Sequence, residues 1–135
     1  MLRVTADTNV YISAFQFGGR PQRILELARE GRIVLAISPP ILQEIEMVLR
    51  GKFRRSKTDV SEAIERLSRI TESVRPIERV EVVTEDPDDN MVLECAVAAH
   101  CDAIVSGDRH LLRLGSYGRI QIVKVADLLG RIAGA

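Results

Sequence analysis

Four places in the sequence carry acids whose surroundings suit metal-assisted chemistry. Asp7 closes the apolar run Leu2 to Ala6, within Thr5-Ala6-Asp7-Thr8-Asn9. Asp108 follows another such run, in Val105-Ser106-Gly107-Asp108. Asp86, Asp88 and Asp89 crowd Asp86-Pro87-Asp88-Asp89-Asn90, and Glu44 lies within a helical pattern. Each alone has an ordinary explanation: Asp7 begins an Asx turn, and Asp88 or Asp89 caps a helix. Collected at strand ends they need another, because gathered carboxylates repel and are costly to desolvate unless a cation compensates. Hard oxygen ligands without a nearby His or Cys suit Mg²⁺ or Mn²⁺. Such ions position phosphate and activate water for in-line attack on a phosphodiester.

Two positions, Glu44 and Glu94, stay open on residue pattern alone. The apolar stripe of Ile41, Leu42, Ile45, Val48 and Leu49 centres near Ile45, with Glu44 on one flank and Glu46 on the other, so periodicity does not choose between them. Glu94 is the lone charge in the apolar pattern Met91 to Ala99, one turn after Asn90 and on the same face. A site residue, a group supporting a ligand and a plain surface charge are all compatible with that place.

These acids must be positioned by a scaffold, and the pattern predicts one. Short apolar runs at Leu2–Ala6, Ile33–Ile37, Val80–Val83, Ala103–Val105 and Ile120–Val125 read as buried strands. Helical patterns lie between them at Arg20–Glu30, Pro39–Leu49, Asp59–Thr71 and Met91–Ala99, with a closing one at Val125–Ile132. Ser38 suits an N-cap, with Pro39 in the first helical position. Alternation of this kind implies an α/β domain with a mainly parallel sheet and right-handed crossovers. Sites in such sheets gather at the carboxyl ends of the strands.

Composition bounds the function. A chain of 135 residues predicts one domain over 1–135, with 46% hydrophobic and 28% charged residues in globular proportion. Nineteen basic residues balance nineteen acidic ones, which argues against a strongly basic coating protein. Aromatics at 4%, with no Trp, make base stacking a minor contributor. Cys95 and Cys101 form neither a disulfide framework nor a zinc site; Cys95 reads as buried and Cys101, at a helix end, as more exposed. His110, after the last acid, reads as a solvated surface residue. No run reaches membrane length and the N-terminus reads as a strand, so a soluble, cytoplasmic protein is expected. Arg50, Lys52, Arg54, Arg55 and Lys57, with Phe53 among them, form a local basic cluster. It suits RNA phosphates, and equally a solvated loop or an acidic protein partner.

The ordered set resembles the PIN domain family, specifically its small prokaryotic VapC-like members, over nearly the whole chain. The pieces are Ala6-Asp7-Thr8-Asn9-Val10, Ser38 through Leu49, Asp86-Pro87-Asp88-Asp89-Asn90 and Val105-Ser106-Gly107-Asp108-Arg109-His110-Leu111-Leu112. The resemblance implies a three-layer α/β/α fold with a mainly parallel sheet of four to five strands. It implies a Mg²⁺- or Mn²⁺-dependent endoribonuclease, the toxin of a toxin–antitoxin pair, with an antitoxin partner and a homodimeric state. Asp7 matches the family's first acid, Glu44 the helical one and Asp108 the last. Ser106 matches the small hydroxyl before the last acid, and Thr8 and Asn9 the polar residues near the first. The third acid departs from the pattern: its place, eighteen residues before Asp108, holds Asn90, with Asp89 one residue earlier. An Asn carbonyl ligates Mg²⁺ without adding charge. Either Asp89 takes over, or the site works with fewer charges.

The leading reading is therefore hydrolysis of RNA at Asp7, Glu44, Asp89 and Asp108. A catalytically weakened PIN-fold module that binds RNA or protein is the alternative, favoured by Asn90. An aspartyl-phosphate phosphatase is lowered by Asn9, which stands where such enzymes commonly carry a second Asp.

Overall fold

The computed structural model describes residues 1–83, 86 and 88–135. Among the described residues, six strands form one sheet: β1 (Arg3–Ala6), β2 (Val34–Ile37), β3 (Glu72–Ser73), β4 (Ala103–Val105), β5 (Ser116–Tyr117) and β6 (Ile120–Val123). The helices among those residues are α1 (Thr8–Phe17), α2 (Gly19–Arg29), α3 (Pro39–Gly51), α4 (Lys57–Ile70), α5 (Asp88–Ala98), α6 (Arg109–Leu114) and α7 (Val125–Gly130). The sheet order is β3-β2-β1-β4-β6-β5, parallel except for the β5–β6 hairpin. Helices cover both faces, giving a three-layer α/β/α architecture.

Topology decides where a site forms. The chain moves outward from β1 to β2 to β3, then returns through α5 to β4 on the other side of β1. With right-handed crossovers, that reversal places α5 on the face opposite the earlier helices. The reversal falls between β1 and β4, and the crevice at their carboxyl ends is where parallel sheets bind ligands. The strands are buried on both faces: Val4, Ala6, Leu35, Ile37, Ile104 and Val105 all lie in the core. α5 packs on β1, β2 and β4. Its inner side is made of Val92, Leu93, Cys95 and Ala96.

The expected strand at Val80–Val83 is not one; the third strand is instead the two-residue β3. Val80 and Val83 are buried. Their N–H groups, with that of Val82, donate to side chains of α5 rather than to a ladder. Side-chain hydrogen bonds at about 1 kcal/mol each, with burial of two valines, offset an ordering cost of roughly 1–2 kcal/mol per residue. An apolar run can thus be anchored without pairing.

Two helices escape the sequence pattern. α1 follows β1 directly, with Asp7 as its N-cap accepting from Val10 N–H at 3.0 Å. It ends at Gly18, whose positive φ of 70° favours glycine. α6 is capped by Asp108. Ser38 stands at the N-cap of α3 but makes no capping bond. Pro40, at the second helical position, removes one of the two N–H groups that such a cap can bind. Cys101 is buried, contrary to the sequence expectation, because the chain runs inward there toward β4; burial pushes its thiol up to about 12. Among the described residues, no helix is long and apolar enough to cross a membrane.

Candidate active site

Strand register builds the site's base. Ala6 of β1 lies beside Val105 of β4, so the next residues, Asp7 and Ser106, are neighbours. Asp7 N–H donates to Val105 O at 3.1 Å, continuing the pairing by one bond. Ser106 Oγ donates to Asp7 Oδ2, and accepts the Asp108 N–H at 2.9 Å. Asp7 and Ser106 are both buried. Burial pushes the Asp7 carboxyl above its ordinary range; Ser106 and the N–H groups of Val10 and Gly107 oppose that rise, while the charge of Asp108 adds to it.

Asp108 is oriented as a helix cap. Its Oδ1 accepts from His110 N–H at 2.8 Å and from Leu111 N–H at 3.1 Å. Its carboxyl is held below the usual range: burial would raise it, but the Leu111 N–H, the Asp89 carboxyl and the His110 N–H outweigh that. His110 is half-buried rather than solvated, with Nδ1 enclosed and without a hydrogen-bond partner among the described residues.

α5 brings the third group. Asp86, Asp89 and Asp108 each offer a carboxylate oxygen, and these oxygens all lie within 4.8 Å of one another. Asp89 is 7% exposed, and among the described residues no N–H or O–H donor reaches its Oδ2. Burial pushes its carboxyl up to about 8, with the adjoining Asp108 carboxyl, and then the charges of Asp86 and Asp7, adding to the rise. Such an arrangement is unfavourable for three free carboxylates. An enclosed oxygen without a donor, facing other hard oxygens, fits a divalent cation such as Mg²⁺ or Mn²⁺. The sequence pattern puts Asp86 in the acidic cluster but assigns it no ligand role. The signal was present in its place two before Asp88, whose N–H it accepts at 3.2 Å, in the manner of an Asx turn.

Glu44 faces this group from α3. It is half-buried, whereas Glu46 is exposed. Burial raises its carboxyl, the charge of Asp88 adds, the Thr8 hydroxyl opposes by hydrogen bonding, and Asp86 and Asp7 add further. Glu44 is thus the flank that shares a field with the other acids. Thr8 is buried and Asn9 exposed.

The remaining expected residues stand elsewhere. Asn90 turns to the backbone of Val82 and Val83, and Glu94 accepts the N–H of Val80 at 2.9 Å. Arg50, Lys52, Arg54 and Lys57 are exposed around the α3–α4 corner. Lys52 Nζ sits over the Phe53 ring, 5.6 Å from its centroid. Arg55 is engaged with α1, donating to Gln16 Oε1 at 2.5 Å and Phe15 O at 3.1 Å.

With this geometry in place, likeness to known proteins is informative. Residues 3–110 match the PIN domain. The chain belongs to the PIN domain family. PIN domains are generally nucleases, and PIN nucleases use divalent metals. Uncharacterized protein MJ1680 of Methanocaldococcus jannaschii is 32% identical over 118 residues, covering 84% of this chain and 75% of that protein. The fold is similar to that of VapBC2 from Rickettsia felis, bound to a DNA fragment from its promoter. That likeness has a TM-score of 0.62 at 14% identity, over 90% of this chain and 97% of that one. PAE2754 from Pyrobaculum aerophilum is similar at a TM-score of 0.66 and 17% identity, over 99% and 91% of the two chains.

Proposed function

We propose that this PIN protein is a Mg²⁺- or Mn²⁺-dependent endoribonuclease and the toxin of a toxin–antitoxin pair. The carrying observation is the buried Asp89 Oδ2, without a donor among the described residues, within a triad of carboxylates spanning at most 4.8 Å. Asp7, Glu44, Asp89 and Asp108 would hold the cation, with Asp86 as a fifth donor. When bound, such an ion lowers the pKa of a coordinated water and neutralises charge on phosphate oxygens.

The chain's own groups do the rest. Ser106 orients Asp7, and Thr8 orients Glu44; partners of this sort fix ligand direction and basicity. Asn9, exposed at the start of α1, is placed to meet substrate. The exposed Arg50, Lys52, Arg54 and Lys57 would take RNA phosphates beyond the acidic pocket, while Arg55 holds their corner against α1. Likeness to a VapBC complex supports an antitoxin partner. We place the whole chain in one domain, acting as a homodimer in the cytoplasm.

The binding-module alternative drew on Asn90 standing in an acid's place. Asp89 and Asp86 supply carboxylates at the same helix start, which favours the nuclease. The test is incubation of matched single-stranded RNA and DNA with purified protein in Mg²⁺, Mn²⁺ or EDTA. RNA cleavage with either ion and none in EDTA is expected. Equal cutting of both polymers, or cutting in EDTA, contradicts the proposal.

A further inference from the structure

We infer that Asn90 and Glu94 are positioning residues, which clamp residues 80–83 to α5 and so fix how Asp86 and Asp89 approach Asp108. The inference rests on the cation site proposed above and assigns the role of two side chains that stand beside it. Asn90 Oδ1 accepts from Val82 N–H at 3.2 Å and Val83 N–H at 3.0 Å, and Asn90 Nδ2 donates to Val83 O at 2.8 Å. Glu94 Oε2 accepts from Val80 N–H at 2.9 Å. The two lie one turn apart on one helix face, so they grip the segment at two points.

The chemistry explains the residue types. The Asn90 amide both accepts two N–H groups and donates to a carbonyl; an ionised aspartate at 90 has no proton for Val83 O. The geometry explains the consequence. Asp86 lies three residues past Val83, a reach of at most about 11 Å. Asp89 precedes Asn90 on the same first turn of α5. Holding the segment against that turn sets both the reach of Asp86 and the rotation of Asp89. Crowding of acidic groups otherwise disfavours this approach of α5 to Asp108.

The experiment is calorimetric titration of Mn²⁺ into the full chain and four variants: Asn90→Ala, Asn90→Asp, Glu94→Ala and Glu94→Gln, with circular dichroism on each. Asn90→Ala is expected to weaken Mn²⁺ about 10- to 100-fold, as loss of groups supporting ligands commonly does. Asn90→Asp is expected to bind no tighter than the parent. Glu94→Gln, which keeps an acceptor for Val80 N–H but no charge, should stay near the parent, and Glu94→Ala should not. Tighter binding by Asn90→Asp overturns the inference, because Asn90 then occupies a ligand position. Unchanged binding by Asn90→Ala overturns it too, as does an equal loss in both Glu94 variants, which marks the charge as the active feature. If Asn90→Ala does not fold, the Glu94 pair carries the test. If the parent itself takes up no Mn²⁺, the cation reading fails, and amide exchange judges the clamp. Faster exchange at Val80 in Glu94→Ala but not in Glu94→Gln then supports it, and equal exchange in the two overturns it.

Discussion

Ser106 holds Asp7 from the neighbouring strand: its hydroxyl donates to Asp7 Oδ2 across 99 residues of sequence. Ser106 Oγ also accepts the Asp108 N–H at 2.9 Å, so one buried hydroxyl joins the first and last acids. Parallel pairing of β1 with β4 makes this contact, and the reversal of strand order makes it a crevice.

Removing that hydroxyl tests its role. Ser106→Ala leaves Asp7 buried with one fewer donor, which raises the Asp7 carboxyl further. RNA cleavage should fall roughly 10- to 100-fold. The circular dichroism spectrum should be unchanged, since the strand pairing is backbone.

Asp108 has two duties that substitution can separate. Asn keeps an oxygen for the His110 and Leu111 N–H groups, so Asp108→Asn should melt near the parent while losing cleavage. Ala loses the cap as well, at a further cost of about 1 kcal/mol. Thermal melting in EDTA beside an RNA assay distinguishes these outcomes.

Asp89 predicts the pH dependence of the metal-free protein. An ordinary Asp titrates near 3.8, and in the folded state this one is pushed up to about 8. Between those values the folded chain retains a proton that the unfolded chain releases. Stability therefore falls as pH rises through that window, and levels off above it. The raised carboxyls of Asp7 and Glu44 act in the same direction. Asp89→Asn should flatten the fall in melting temperature from pH 5 to 8 and melt higher than the parent at pH 9, at the expense of activity.

The basic corner divides by contact. Lys52→Ala or Arg54→Ala should weaken RNA binding and make its salt dependence shallower, by about 0.7 in log–log slope for each lost phosphate contact. Arg55→Ala should instead lower stability by about 1 kcal/mol through its lost bonds to Gln16 and Phe15. Fluorescence anisotropy across a salt series, with melting curves, checks both.

Much of the scaffold was legible because buried parallel strands announce themselves as short β-branched runs. Asp7 and Asp108 were visible as acids at the ends of such runs. Val80–Val83 has the same composition but satisfies its N–H groups on Asn90 and Glu94, and composition does not distinguish a ladder partner from a side chain. α1 was hidden because Thr8, Val10 and Ile12 are β-branched and continue a strand's texture. Periodicity does not choose Glu44 over Glu46, since both flank one stripe; the family resemblance does, and the structure leaves Glu44 half-buried and Glu46 exposed. Asp86 lies outside the helix, where no period predicts which way a side chain points.

The most direct measurement is calorimetry of Mn²⁺ binding at pH 7 in two buffers of different ionisation enthalpy. The cation must displace the proton held at Asp89, so binding should release about one proton per ion and strengthen with pH up to about 8. Asp89→Asn should abolish both binding and proton release. Absence of binding to the parent protein, or Mn²⁺ binding that persists in Asp89→Asn with the same proton release, contradicts the account.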